Sequence, residues 1–281
     1  MIIKAPGLAL LLMLFLFSCS DVLDRAPDGK ISLEEVFRDD EKTAAYLNTC
    51  YNYIPSEGHR YYFYMRGPVD WSDEAWDTDA EAETWLTSGQ LYSGNASASA
   101  HFNTQWADAG NGNYWNRMWE AIRKCSVFLD NIDDANVKSE QNRSRWKAEA
   151  HLLRAYYYMV LLKFFGTGLP IERTASHYTD DFSTTERGSY YDVVQFIIED
   201  CDAALSSPDL PWRITTGAEA FRFTKAIAEG IKSRMSLYAA SPLYSEGENH
   251  WEEAYQASKQ ALNNLSKNGY VLYDKINFSS W

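Results

Sequence analysis

Six stretches of this chain repeat small and apolar residues at alternating steps of three and four, the spacing that lines side chains along one face of an α-helix. The first runs from a capping box at Ser32 and Glu35 to about Tyr53 and stops at Pro55. The second, about Asn113 to Ile132, carries Trp115, Trp119, Ile122, Ser126 and Leu129 on one side. The third starts at a Ser139 cap and stops at Gly166 and Gly168, residues suited to the left-handed backbone of a helix end. Its stripe is Ala148, Leu152, Ala155, Met159 and Leu162, while Tyr156, Tyr157, Tyr158, Val160, Leu161, Phe164 and Phe165 fill most of the other sides. A helix apolar nearly all round needs neighbours on several sides, so this one is expected at the centre.

A fourth helix is expected over Ser189 to Ser206 with Ser189 and Asp192 as its cap, and a fifth from Thr224 to Pro242 with Ala228, Ile231, Met235 and Tyr238 facing inward. The sixth runs from Trp251 to Asn268 and closes at Gly269. Its small residues Ala254, Ser258 and Ala261 allow close approach of a partner, to which Ala226, Ala228 and Gly230 of the fifth helix are expected to contribute. No strand hairpin stands out, so the fold class is all-α, built from consecutive helix pairs of tetratricopeptide-like character without a strict 34-residue period. Between the first two helices, residues 55–112 hold no sustained period and contain Gly58, Gly67, Pro68, Gly89, Gly94, Gly110 and Gly112: a long irregular insert.

The N-terminus changes the picture of where this scaffold works. Lys4 is followed by an apolar run from Leu8 to Phe17, too short to span a bilayer and shaped like a secretory leader. Leu16, Phe17, Ser18 and Cys19 resemble a bacterial lipobox, which implies cleavage of residues 1–18 and acylation of Cys19. The formal charge of −13 becomes −14 once residues 1–18, with their single Lys4, are removed. Such a surface repels phosphate backbones and makes nucleic acid an unsuitable partner. Cys50, Cys125 and Cys201 lie far apart in expected helices without a CxxC pair, and read as buried free thiols.

Four segments, in order, resemble the SusD/RagB family of outer-membrane nutrient-binding lipoproteins: CSDVLDRAPDGKIS from Cys19, WNRMWEAIRKCSVFLDNI from Trp115, KAEAHLLRAYYYMVLLKFFGTGLPI from Lys147, and TKAIAEGIKSRMSLYAASPLY from Thr224. The resemblance implies a right-handed α-superhelix of irregular tetratricopeptide-like pairs with long loop insertions. It also implies a lipid-anchored place at the outer-membrane surface and a partnership with a TonB-dependent, SusC-like transporter barrel. Family chains continue beyond the point where this one ends. Residues 19–281 are therefore expected to be the N-terminal helical domain of a longer family-type chain, its insert at residues 55–112 included.

Composition says where to look for a ligand. Aromatic residues make up 15% of the chain, with ten Trp and nineteen Tyr, and Trp71, Trp76, Trp85, Trp106, Tyr61, Tyr62, Tyr64 and Tyr92 fall in the insert. Sugar C–H faces stack on flat rings while their hydroxyls need fixed donors and acceptors alongside. The expected ligand site is Trp71, Asp73, Trp76, Trp85, Tyr92 and Asn95, taking an oligosaccharide; the alternative use of the rings is to pin the insert to the scaffold. A peptide- or protein-binding tetratricopeptide-like module is the competing reading.

Adjacent Asp73 and Glu74 could suggest a glycoside hydrolase, but acidic neighbours are common in a chain with 39 Asp and Glu, and no enzyme is expected. Asp77, Asp79, Glu81 and Glu83 alternate like an oxygen-rich loop, yet Ala82 and Ser88 stand where a calcium-binding EF-hand needs Gly and Glu. The five histidines form no HExxH pair. No cofactor is implied. Arg154 and Arg234 lie in apolar helices and are expected to be paired structurally with acids such as Glu149 or Asp200.

Overall fold

The computed structural model describes residues 31–55, 114–177 and 179–272. These hold seven α-helices: α1 (Leu33–Phe37), α2 (Asp40–Tyr51), α3 (Tyr114–Ile132), α4 (Glu140–Phe165), α5 (Tyr190–Ser206), α6 (Lys225–Ala240) and α7 (Trp251–Lys267). Each helix from α3 onward packs on the next, and α4 also touches α2 and α6. The described residues form no sheet; the one β feature among them is an isolated antiparallel bridge between Leu169 and Gly188.

The centrality of α4 follows from its sequence. Leu152, Leu153, Ala155, Tyr157, Tyr158 and Leu161 are fully buried and point to several sides, so no single polar face remains in its second half. Ser139 caps it by accepting from Asn142 N, and Gly166 ends it at φ +69°, a backbone region that disfavours any side chain with a Cβ. The capping boxes expected at Ser32/Glu35 and Ser189/Asp192 both form.

The expected first helix is two helices. Asp39 leaves helical geometry, with φ −127° and ψ 123°, and caps α2 by accepting from Lys42 N. The carbonyls that a continuous helix would use are taken from outside: Asn136 N donates to Phe37 O at 2.7 Å, and Asn136 Nδ2 to Arg38 O at 3.2 Å. Thr43, fully buried, spans the break by donating to Val36 O and Asp39 O. The turn between α3 and α4 thus fixes the angle at which α1 joins the stack.

Three finer expectations also change. Tyr238 is 42% exposed, and Ala239 takes the buried place in the α6 stripe. Gly230 is exposed; α6 meets α7 instead through Ser233 to Ser258 at 3.0 Å and Glu229 to Asn264 at 2.6 Å, while Ala254 and Ala261 are buried. Arg234 is exposed rather than buried. The three thiols are free and buried, as their spacing suggested. No described helix is long and apolar enough to cross a membrane.

Candidate functional site

Trp71, Asp73, Trp76, Trp85, Tyr92 and Asn95, the acidic run Asp77 to Glu83, and Cys19 all lie outside the described residues. The structure does describe the two points at which the insert leaves and rejoins the scaffold, and they are held side by side. Just before the insert, the Asn52 carbonyl accepts from Arg117 Nη2 at 2.6 Å, and the Tyr53 hydroxyl donates to Glu120. Both partners sit on the first two turns of α3, where the chain returns. The Arg117 guanidinium lies 5.2 Å from the Tyr53 ring centre, adding a cation–π contact across the same gap. Burial, then the Glu120 hydrogen bond and charge, push the Tyr53 phenol well above its ordinary pKa, so it stays a donor at physiological pH.

From the returning end an aromatic chain runs inward. Trp115 meets Trp119 at 5.7 Å and Phe165 at 5.0 Å; Trp119 meets Tyr158 at 5.7 Å, and Tyr158 meets Phe196 at 5.1 Å, all in edge-on geometry. Trp119 Nε1 is buried without a hydrogen-bond partner among the described residues. The root of the insert is therefore built onto α3 and the end of α4.

Two buried ionic networks hold that platform. In the first, Arg154, 5% exposed, grips Asp200 with Nε and Nη2, both at 2.8 Å, and sends Nη1 to Ser126 Oγ and Arg173 O. His151 Nδ1 lies 2.7 Å from Asp200 Oδ1. Burial acts to raise the Asp200 carboxyl, but the bonds from Arg154 and His151 outweigh it and hold the group below the usual carboxylate range. The expectation that Arg154 pairs with an acid is met by Asp200.

Glu149, the other acid expected to pair with Arg154 or Arg234, instead serves a second network with Arg145 and Arg222. Fully buried, it accepts from Arg145 Nε at 2.9 Å, from Arg222 Nε at 3.3 Å and from the Tyr51 hydroxyl at 2.9 Å, with Arg222 Nη2 3.1 Å away as an ion pair. Tyr51 in turn accepts from Phe223 N, and Arg222 Nη1 reaches Asn48. This ties α2, which leads into the insert, to α4 and to the segment before α6. The Glu149 and Arg145 spacing of one helical turn was the available signal. Among the described residues no group of His, Cys, Asp and Glu is arranged to hold a metal ion.

Residues 60–237 match the SusD-like family described as "Starch-binding associating with outer membrane". The chain belongs to the SusD-like family. Solved structures with the same fold include a SusD-like protein from Bacteroides fragilis, at 23% identity and TM-score 0.68, with 89% of this chain covered. Surface glycan-binding protein A from Bacteroides thetaiotaomicron, solved in complex with laminarihexaose, matches at 15% identity and TM-score 0.62 over 84% of this chain. A SusD-like carbohydrate-binding protein from Bacteroides fragilis matches at 19% identity and TM-score 0.61 over 83%. This SusD-like chain spans under half the length of these solved relatives: 42%, 45% and 41% respectively. No match is found among curated protein sequences.

Proposed function

We propose that this SusD-like chain is part of a surface glycan-binding lipoprotein, anchored through Cys19, that captures oligosaccharides for a TonB-dependent outer-membrane transporter. The observation that carries the reading is the family match together with an aromatic insert whose two ends are locked onto the scaffold at Asn52–Arg117 and Tyr53–Glu120. A stacking site needs rings held in fixed register, because each rotor frozen on binding lowers affinity. Trp71, Trp76, Trp85 and Tyr92 would supply the platforms, and Asp73 and Asn95 the edge hydrogen bonds. Binding without turnover is the expected activity.

Calorimetric titration with laminarihexaose and with maltooligosaccharides tests this. Trp76→Ala and Trp85→Ala are each expected to weaken binding about tenfold or more, the scale of one lost stacking contact. Unchanged affinity in both variants would remove the insert from the site. An exposed apolar stripe on α7, with Trp251, Tyr255 and Leu262 at 51%, 54% and 67% exposure, favours the second reading, a protein-binding helical face. That reading requires α7 substitutions to abolish partner binding while the Trp variants leave it intact. The anchor has its own test. Cys19→Ala is expected to move the protein from the membrane to the soluble fraction, and equal membrane fractionation of the two forms would end the lipobox assignment.

A further inference from the structure

Two of the three buried thiols face each other beneath the root of the insert. The register of α2 against α3 is set by the side chains around them. Tyr53, just past the end of α2, reaches Arg117 and Glu120. One turn further along α3, the Lys124 ammonium lies 5.8 Å from the ring centres of both Tyr53 and Tyr46, and one turn beyond that Phe128 stacks on Tyr46 at 6.3 Å. The two segments therefore run antiparallel, residues 46–53 along residues 117–128. Tyr46, Cys50 and Tyr53 follow at steps of four and three, so they share one side of the chain. Cys50 is thereby aimed at the middle of that part of α3, where Ala121 and Cys125 are fully buried.

The sulfurs meet there. The Cys125 thiol donates to the Cys50 sulfur, and the Cys50 thiol donates onward to the Tyr46 carbonyl at 3.7 Å. Tyr157 reaches the pair from α4: its hydroxyl donates to the Cys50 carbonyl, and both thiols are near enough to push its phenol upward. Cys201, the third thiol, lies apart in α5, where the charged groups around it are Asp200, Lys232, Asp202 and Glu229.

The thiols are free in this structure, and one oxidation step separates the facing pair from a bond. A disulfide needs side chains directed at one another across a short gap, as two hydrogen-bonded thiols are. Closing it removes one proton from each thiol and two electrons from the pair; an oxidant disulfide accepts them by exchange, through a mixed disulfide, and leaves as two thiols. In the folded chain the pair resists that exchange. Burial, then the hydrogen bond and charge of Cys50, hold the Cys125 thiol well above its ordinary pKa, and the thiolate is the form that attacks. The exchange therefore belongs to the folding chain, before α2 closes on α3.

We propose that Cys50 and Cys125 are joined by a disulfide when the chain folds in an oxidising compartment, stapling the helix that leads into the insert to the helix that receives it. The pairing rests on the packing of α2 against α3; the oxidising surroundings rest on the export proposed above.

Refolding tests the pairing without reference to export. The full chain, reduced and unfolded in urea, is refolded in a mixture of reduced and oxidised glutathione, and its remaining thiols are alkylated in denaturant for mass spectrometry. The expected result is the loss of two alkylatable thiols, a joined pair of peptides containing Cys50 and Cys125, and a free Cys201. Closing the long loop between residues 50 and 125 restricts the unfolded chain, so the urea midpoint of the oxidised protein should lie above that of the reduced protein. Cys50→Ala and Cys125→Ala protein should each lose that difference. Free Cys50 and Cys125 in refolded, helical protein overturn the proposal, as does a bond from either to Cys201 or an oxidised midpoint no higher than the reduced one; none of these readings needs a substituted chain. Protein drawn from the membrane fraction of cells reports on the compartment separately. Reduced thiols there, beside a disulfide formed on refolding, would count against export and uphold the pairing.

Discussion

Arg154→Met is expected to destabilise the fold by about 3–5 kcal/mol, the range for removing one member of a buried ion pair. The guanidinium is 5% exposed and forms four hydrogen bonds, two of them to Asp200, which is 3% exposed. Without it, an aspartate remains in the core with the His151 imidazole beside it, and must either stay charged or take up a proton. Denaturant unfolding followed by far-UV circular dichroism would measure the loss; a decrease below about 1 kcal/mol would mean that the pair does not lock the core. Replacing both partners with apolar residues should recover much of the stability, because the desolvation of two charges disappears together with their attraction.

The same pair sets a pH dependence. Asp200 has a folded pKa below its unfolded value, so its contribution is complete above the unfolded pKa of about 4 and is lost as pH falls through the folded value. Wild-type stability should therefore fall below about pH 4. In Arg154→Met protein the part of that slope due to Asp200 should shrink or reverse.

The second large effect is expected at Glu149. Its substitution by Ala would take the shared anion from Arg145 and Arg222, each 20% exposed, leaving Arg145 only its Glu219 partner, and would free the Tyr51 hydroxyl. A loss of about 3–5 kcal/mol is expected, with Glu149→Gln milder because its amide can keep some of the bonds. The consequence extends beyond stability. Tyr51 ends α2 a few residues before the insert, and its hydroxyl links Glu149 to Phe223 N. Hydrogen exchange should accordingly quicken in α2 and at Phe223 more than in α7. Uniform quickening throughout the described helices would show that the network stabilises the whole fold without a local role at the insert.

How much of this was legible in the sequence depended on the range over which each feature is determined. The α4 helix was readable because its capping serine, its apolar sides and its terminal glycine are all local. The break at Asp39 was not, because what ends α1 is Asn136 taking the carbonyls of Phe37 and Arg38 from the far side of the insert. Arg154 and Arg234 looked alike in sequence, each in an apolar helical stretch. They differ because Arg154 lies between α3 and α5 with Asp200 opposite, while Arg234 falls on a side of α6 that no described element covers. Tyr53, Arg117 and Glu120 carried no helical period to mark them, and only the packing of α3 beside the end of α2 makes them a clasp.

That clasp has an evolutionary consequence. With its two ends tied together by the scaffold, the insert resembles a replaceable cassette. Doubling the length of a loop between fixed ends costs only about 0.6 kcal/mol of closure entropy, far less than removing one partner from either ionic network. Selection can therefore lengthen, shorten or exchange the segment between Pro55 and Tyr114 while α3, α4 and their buried ions continue to fold as before, and a new appetite can be acquired without redesigning the body that carries it.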